Sequence, residues 1–367
     1  MNSGVYKMEK GDVVMNPDCR IYSVPYNGVD PEWFLQEVAK RKKHIDHVYC
    51  ELPFKEMISH VRFTFDDRKS AGENPANVDA MRALYLKNCF EFLRLSKGKV
   101  RRICPVNAMC YPFATDEEVK NFVVTLARAA NELQIEGFIL SDYRVAALLH
   151  ALLPEVEIHT SCNAYQWNLR QMEIWQEKCG VAVFNPPREI LRTPTRLKEM
   201  HDAGFKLKCL VNEACLMGCP NSFNHNLSIA MGRRPVLLSC CQNGIADLFR
   251  ANWILPRWQK HYDDVVDIYK IAGRNAAGDY PFKTIDAYLA EDDSLPLAEL
   301  MISGTLMFAS YMLPGEILRK ITIDKVPDKL LTCECRECER CGLCEKILSE
   351  LIPKEYRESF RFKVKVT

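Results

Sequence analysis

The feature that most restricts the fold of this chain is an unbroken alternation of short β-type runs with amphipathic helical patterns from Arg20 to Arg274. A strand followed by a helix and another strand is a crossover unit, so strict alternation implies parallel strands. The runs are RIYSVPYN (Arg20–Asn27), HIDHVYCEL (His44–Leu52), VRRICPVNA (Val100–Ala108), EGFILSD (Glu136–Asp142), VEIHTSCN (Val156–Asn163), VAVFNPP (Val181–Pro187), FKLKCLVNE (Phe205–Glu213) and VVDIYKIAGR (Val265–Arg274). Helix starts are written between them. Asp30-Pro31 offers an N-cap and a first-turn proline, Thr115 to Glu118 a capping box, and Thr193-Pro194 a further start. No glycine-rich G-x-G-x-x-G follows the first run, which disfavours an open dinucleotide-binding sheet. The order predicts an α/β fold, a (β/α)8 TIM-type barrel.

In such a barrel the chemistry gathers at the carboxyl ends of the strands. The polar residues expected there are Asn27, Glu51, Asn107, Ser141, Asp142, Ser161, Asn163, Asn185, Asn212, Glu213, Lys270 and Arg274. Strand ends are polar in general, so solvated turns account for part of this collar. Immediately after the seventh run comes NEACLMGCPNSFNHN (Asn212–Asn226), and the connection to the eighth run is about fifty residues long, a length usually kept for function. Glu51 and Glu213 are candidate general bases, Lys270 and Arg274 candidate holders of a substrate carboxylate, and His225 a candidate ligand or substrate-orienting group.

Seventeen cysteines in a chain whose N-terminus, Met1 to Asp12, lacks the apolar core of a secretory signal argue against a disulfide framework and for metal or redox chemistry in a cytoplasmic protein. Cys215-x3-Cys219, followed by Cys240 and Cys241, brings thiols close enough to share one inorganic centre, and adjacent cysteines point apart, so one of the latter two is expected to bind. The tail CECRECERCGLC holds Cys333, Cys335, Cys338, Cys341 and Cys344 at a spacing resembling that of bacterial ferredoxins. A structural zinc site is an alternative for the tail, because tetrathiolate zinc needs only four converging sulfurs. Free thiols in a polar loop are the plainer reading of Cys215 and Cys219.

Forty-nine basic against forty-eight acidic side chains leave a formal net charge of +1, which offers no electrostatic argument for nucleic acid or an anionic membrane. Apolar runs such as Val145 to Leu153 fall short of a membrane span. No H-E-x-x-H, G-x-S-x-G or P-loop signature is present.

NEACLMGCPNSFNHN after a strand, then WILPRW (Trp253–Trp258) and DIYKIAGR (Asp267–Arg274), resembles the collagenase-like peptidase family, U-32, in its iron-sulfur form. Ala272 stands where many members of that family have an acidic residue. The resemblance implies a barrel, and either peptidase activity or oxygen-independent hydroxylation around a four-iron four-sulfur (4Fe-4S) cluster. It also implies Cys215, Cys219 and one of Cys240 or Cys241 as ligands, with Cys50 the candidate for the fourth.

The expected organisation is a barrel domain over residues 1–275 with a cluster loop at 212–260, and an extension over 276–367 carrying the cysteine-rich motif 333–344. The leading expectation is iron-sulfur-dependent hydroxylation or a related redox modification of a small-molecule or macromolecular substrate, with a partner protein or electron donor. The alternatives are a peptidase and a noncatalytic electron-transfer or scaffold protein.

Overall fold

The computed structural model describes residues 19–53, 72–109, 111, 113, 115–231, 245–302, 313–331, 333 and 338–358. Eight strands are parallel neighbours in one sheet: β1 (Tyr22–Pro25), β2 (Ile45–Tyr49), β3 (Arg101–Val106), β4 (Gly137–Leu140), β5 (Glu157–Thr160), β6 (Val181–Val183), β7 (Lys208–Leu210) and β8 (Ile268–Lys270). Their order runs from β6 down to β1, then to β8 and β7. One further bridge, Phe184 to Leu207, joins the two ends of that order and closes the ring. The barrel is therefore present, and each strand lies inside the run that the sequence assigned to it.

The helices that follow the strands are α1 (Pro31–Lys40), α2 (Pro75–Leu95), α3 (Asp116–Leu133), α4 (Tyr143–Leu152), α5 (Leu169–Cys179), α6 (Pro194–Asp202), α7 (Ser222–Ala230) and α8 (Tyr280–Ala290). Local signals set their ends. Asp30 accepts from the Trp33 amide ahead of α1, and Thr115 with Glu118 forms the capping box of α3. Gly180 ends α5 at φ 59°, where a Cβ would lie 2.2 Å from the His150 ring, so a side chain fails there on both counts. The ring's last helix, α8, lies beyond the expected boundary at 275.

Alternation along each strand sends one set of side chains to the helices and the other into the barrel. Val24, Val48, Cys104, Phe138 and Ile158 face the helices in one continuous core. Tyr26, at the end of β1, stacks on Phe92 of α2 with ring centroids 4.3 Å apart. Inside the barrel the lowest level is polar. Ser23 bonds His47 Nε2 at 2.7 Å, His47 Nδ1 meets Asp46 at 2.6 Å, and Arg101 bridges Asp46 to Glu157. Glu157 takes a bond from His159 Nε2 at 2.6 Å, and His159 Nδ1 receives one from Lys208 Nζ at 2.7 Å.

Seven side chains from β1, β2, β3, β5 and β7 thus form one hydrogen-bonded chain, with Ser23, His47, His159 and Lys208 fully buried. Each imidazole meets a carboxylate at one nitrogen, and the Ser23 hydroxyl or the Lys208 amine at the other. Above this floor sits a separate apolar plug of Tyr49, Ile103 and Ile139.

The long connection from β7 to β8 is tied down at several points. Arg192, fully buried, lies over the stacked rings of Trp253 and Trp258 and donates to the carbonyls of Phe249 and Ala251 at 3.0 Å each. Arg20 holds Asp263 through a buried bidentate pair, and Tyr269 donates to the same carboxylate at 2.6 Å. No helix among the described residues is long and apolar enough to cross a membrane.

The floor makes stability acid-sensitive. Burial, reinforced by the Lys208 charge, pushes His47 down to about 3, and the same two causes hold His159 well below its ordinary value. Burial alone would raise Asp46, but the His47 bond and Arg101 overcome it and keep the carboxyl below its usual range. In the unfolded chain histidine titrates near 6.5. Below that pH the unfolded state takes up protons that the native state refuses, so stability falls as pH drops, by about 1.4 kcal/mol per unit per group. Urea unfolding of the wild type across pH 7 to 4 should show this loss, and His47→Gln should flatten the slope by about 1.4 kcal/mol per unit.

Candidate functional site

The mouth at the carboxyl ends is built above the Tyr49 ring. Lys270, the last residue of β8, points inward like its neighbour in register Ser23, and its ammonium sits 4.8 Å from the Tyr49 ring centroid. Arg274, four residues on, lies over the same ring and pairs with Glu51 from the end of β2. Tyr49 itself is fixed by donating its hydroxyl to the Ile271 carbonyl. Across the mouth, Arg188 follows the Pro186-Pro187 turn after β6, pairs with Glu213 at 2.5 Å and donates to Asn163 Oδ1 at 2.9 Å. Asn163 in turn donates to the Asn107 carbonyl at 3.0 Å, linking the ends of β3 and β5 to this pair.

Four of the five residues expected to act, Glu51, Glu213, Lys270 and Arg274, thus meet at one end of the barrel. Burial lowers Lys270 to about 8; Cys162 and Glu213 favour its charged form, while Arg274 and Arg188 oppose it. An amine in that range exchanges its proton near neutral pH. His225 lies on α7, half-buried, and is shifted down by burial and the Arg188 charge, with Glu213 opposing. It borders the Arg188–Glu213 pair from the loop side.

Other collar residues do architectural work. Asn212 accepts from the Ala272 amide at 2.7 Å and donates to the Tyr280 hydroxyl at 2.8 Å, binding β7 to the turn after β8. Asn27 donates to the carbonyls of Ala276 and Gly278, Ser141 to that of Ala108, and Asp142 caps α4. Sequence reasoning missed Arg188. The signal for Arg188 was its place just past a strand end, behind two prolines that hold the turn.

Cys215 and Cys219 lie half-buried in the loop after β7, with Cys215 beside Arg188. Cys50 is elsewhere: its buried thiol donates to the Glu51 carbonyl at 3.4 Å and the Cys89 carbonyl at 3.9 Å, in the layer between barrel and α2, and burial pushes it up. Cys240, Cys241 and Cys335 lie outside the described residues. In the tail Cys338 opens a short helix, Cys338–Cys341, Cys341 is exposed, and Cys333 and Cys344 face the Arg192 guanidinium. Among the described residues no three histidine, cysteine or acidic side chains converge as a metal site.

Residues 77–218 match the model of Peptidase family U32. An uncharacterized protease of Methanocaldococcus jannaschii, MJ1657, is 28% identical over 301 residues, covering 77% of this chain and 88% of that protein. The solved structure of the U32 peptidase Mk0906 superposes with a TM-score of 0.43 at 11% identity, covering 74% of this chain and 98% of that one.

Keeping an ammonium in this mouth is costly to the fold. At pH 7, below its folded value of about 8, Lys270 is charged in both states, and only the native state bears the burial penalty. Lys270→Met, close in volume, should therefore raise unfolding free energy by about 1–3 kcal/mol at pH 7. The gain should shrink above pH 8, where the native amine is already neutral. Denaturant titrations at pH 7 and 9.5 measure both effects.

Proposed function

We propose that this chain, which carries a peptidase family U32 region at residues 77–218, hydrolyses peptide bonds at the carboxyl-end mouth of its barrel. The observation that carries the reading is the buried Lys270, lowered to about 8, set between two arginine–glutamate pairs. Lys270 is the group that moves protons. Arg188 and Arg274, each steadied by a carboxylate, bind the substrate's charged or polarised oxygens by charge-assisted bonds. Asn163 holds Arg188 in place, and Tyr49 holds Lys270 and Arg274 above the plug. The protease name carried by the Methanocaldococcus relative supports the same reaction class.

Hydrolysis of a mixed peptide library, followed by mass spectrometry, tests this. The rate should rise with pH around a midpoint near 8 as Lys270 loses its proton. Lys270→Met should lower kcat by about 100-fold or more. A rate that is flat from pH 6 to 9 and indifferent to this substitution removes Lys270 from the reaction.

A second reading has one observation of its own. Cys215 and Cys219 stand on the same rim, with Cys215 beside the Arg188 charge. They would supply two ligands of a 4Fe-4S cluster, with Cys240 or Cys241 as a third, while Cys50, the fourth candidate from the sequence, turns its thiol into the layer between the barrel and α2. Lys270 and Arg274 would then hold an acidic substrate for oxygen-independent hydroxylation, for which the cluster, when bound, would supply single electrons from an electron-donor partner. The tail cysteines Cys333, Cys335, Cys338, Cys341 and Cys344 would hold a second cluster or a zinc ion. Protein purified without oxygen should then contain iron and acid-labile sulfide. Serine at Cys215 and Cys219 should remove one absorbance component, while serine at Cys338 and Cys341 leaves it. Iron-free protein defeats this reading and leaves the hydrolytic one standing.

A further inference from the structure

We propose that Tyr165, Trp167 and Phe223 form a subsite beside the mouth that receives an aromatic or large apolar side chain of the substrate, while Arg188 holds a backbone oxygen of the same stretch of peptide. The proposal rests on the peptide-hydrolysis reading of the mouth and names its substrate class, chains with a bulky apolar residue near the bond cleaved. The Tyr165 ring centroid lies 6.1 Å from that of Trp167 and 5.8 Å from that of Phe223, tilted against both. Trp167 is 38% and Phe223 54% exposed. Single exposed apolar side chains are ordinary on a protein surface, whereas three joined rings make a patch with one face in water.

Both ends of the patch are anchored to the mouth. Tyr165 closes the single 3-10 turn Cys162–Ala164 after β5, and the same turn carries Asn163, whose Oδ1 receives the Arg188 guanidinium at 2.9 Å. Asn163 and Tyr165 are next neighbours but one, so their Cα atoms are at most about 7 Å apart. One residue of a bound peptide therefore reaches Arg188 with its carbonyl oxygen and the Tyr165 ring with its side chain. Phe223 lies in the first turn of α7, in the connection that follows Glu213, the partner of Arg188. The Tyr165 hydroxyl shares a 3.1 Å bond with Ser222 Oγ and accepts from Asn226 Nδ2 at 3.4 Å, which ties the exit of β5 to α7 across the exit of β6.

The backbone under the rings is fixed at a cost. Tyr165 sits at φ 50° and ψ 49°, the left-handed region that an aromatic residue rarely adopts. Gln134 and Glu291, the other non-glycine residues of positive φ among the described residues, end the long helices α3 and α8, whereas Tyr165 follows one short turn. Strain of this kind gathers at ligand clamps, where the surrounding bonds hold the residue in place. Trp167 is pinned through its main chain: its N–H donates to Gln171 Oε1 at 2.8 Å and its carbonyl receives the Arg196 guanidinium at 3.1 Å. The indole is thus placed while part of it stays in water.

A second observation points to a ligand at the same exit. Asn185 precedes Arg188 across the Pro186-Pro187 turn, and its N–H donates to the Thr160 hydroxyl at 2.8 Å. Alternation from Val183, which stands in register with the inward-facing His159, turns the Asn185 side chain to the interior. It is only 1% exposed, yet neither its Nδ2 nor its Oδ1 has a hydrogen-bond partner. A buried primary amide in that condition costs free energy that a peptide group, with one donor and one acceptor, would recover. The exit of β6 thus suits a peptide main chain, and the rings beside it suit a side chain.

The test reads binding first and turnover second. Full-length protein is titrated with N-acetyl-phenylalanine amide and with N-acetyl-alanine amide, and saturation-transfer NMR gives the affinity of each. The phenylalanine ligand should bind about tenfold tighter or more, and Trp167→Ala and Phe223→Ala should each cut that preference by about fivefold. Leu84→Ala, an exposed position on α2, should leave it unchanged. Asn185→Leu should weaken both ligands by about tenfold while raising the urea midpoint of unfolding; a lower midpoint with affinity kept removes Asn185 from the site. In hydrolysis of a peptide library, Trp167→Ala should raise KM for peptides bearing phenylalanine, tyrosine or leucine by about fivefold with kcat unchanged. Equal affinity for the two ligands, or a preference that survives Trp167→Ala and Phe223→Ala together, overturns the proposal. Selective binding without cleavage of any peptide removes the hydrolytic reading and leaves the subsite, whereas cleavage indifferent to apolar side chains removes the subsite alone.

Discussion

The structure depends on the hydrogen-bonded chain that crosses the base of the barrel from Ser23 to Lys208. A closed ring of eight strands encloses a space that side chains must fill, and here the lowest level is filled by polar groups. That is tolerable only because every member has a partner: two histidines bracketed by two carboxylates, one arginine between them, and a hydroxyl and an amine at the ends. The chain draws on five strands, so it fixes their relative heights as well as their spacing. A strand that slipped by one residue would turn its member outward and leave a charge alone in the interior.

From that floor the interior changes character in steps toward the opposite end. Tyr49, Ile103 and Ile139 form a dry level, and Tyr49 presents its ring face to Lys270 and Arg274 above. One aromatic side chain thus separates two charged levels and seats the cations of the upper one. With Arg188 and Arg274 beside it, Lys270 stands among cations that Glu51 and Glu213 offset. Negative oxygen brought to this point meets fixed positive charge that needs no rearrangement of solvent.

The barrel was legible because its signal is repeated eight times and each copy is local. Hydrophobic runs, capping pairs such as Thr115 with Glu118, and prolines at helix starts all point the same way. The collar was legible as a position rather than a mechanism. Glu51, Glu213, Lys270 and Arg274 were expected at the mouth and are there, but their pairing is a long-range fact with no trace in spacing. The floor escaped notice because His47, His159 and Lys208 look like interruptions of β runs until the ring turns them inward. Arg188 went unnoticed, since only the closed wall brings Asn163 and Glu213 to it. The cysteine-dense segments drew attention in sequence, yet Cys335 of the tail and both Cys240 and Cys241 fall outside the described residues.

The ring is not equally strong all round. Between β6 and β7 the wall is joined by the single bridge at Phe184, with bonds from the Phe184 amide to the Lys206 carbonyl and from the Lys208 amide to the Phe184 carbonyl. Everywhere else neighbouring strands share a ladder. Asn185 and Arg188 ride directly above this seam, so the residues that would meet a substrate are mounted on the part of the wall easiest to spread. Compliance of the cylinder is concentrated on the side of the mouth that carries Asn185 and Arg188, and the remaining staves keep their alignment when that side yields.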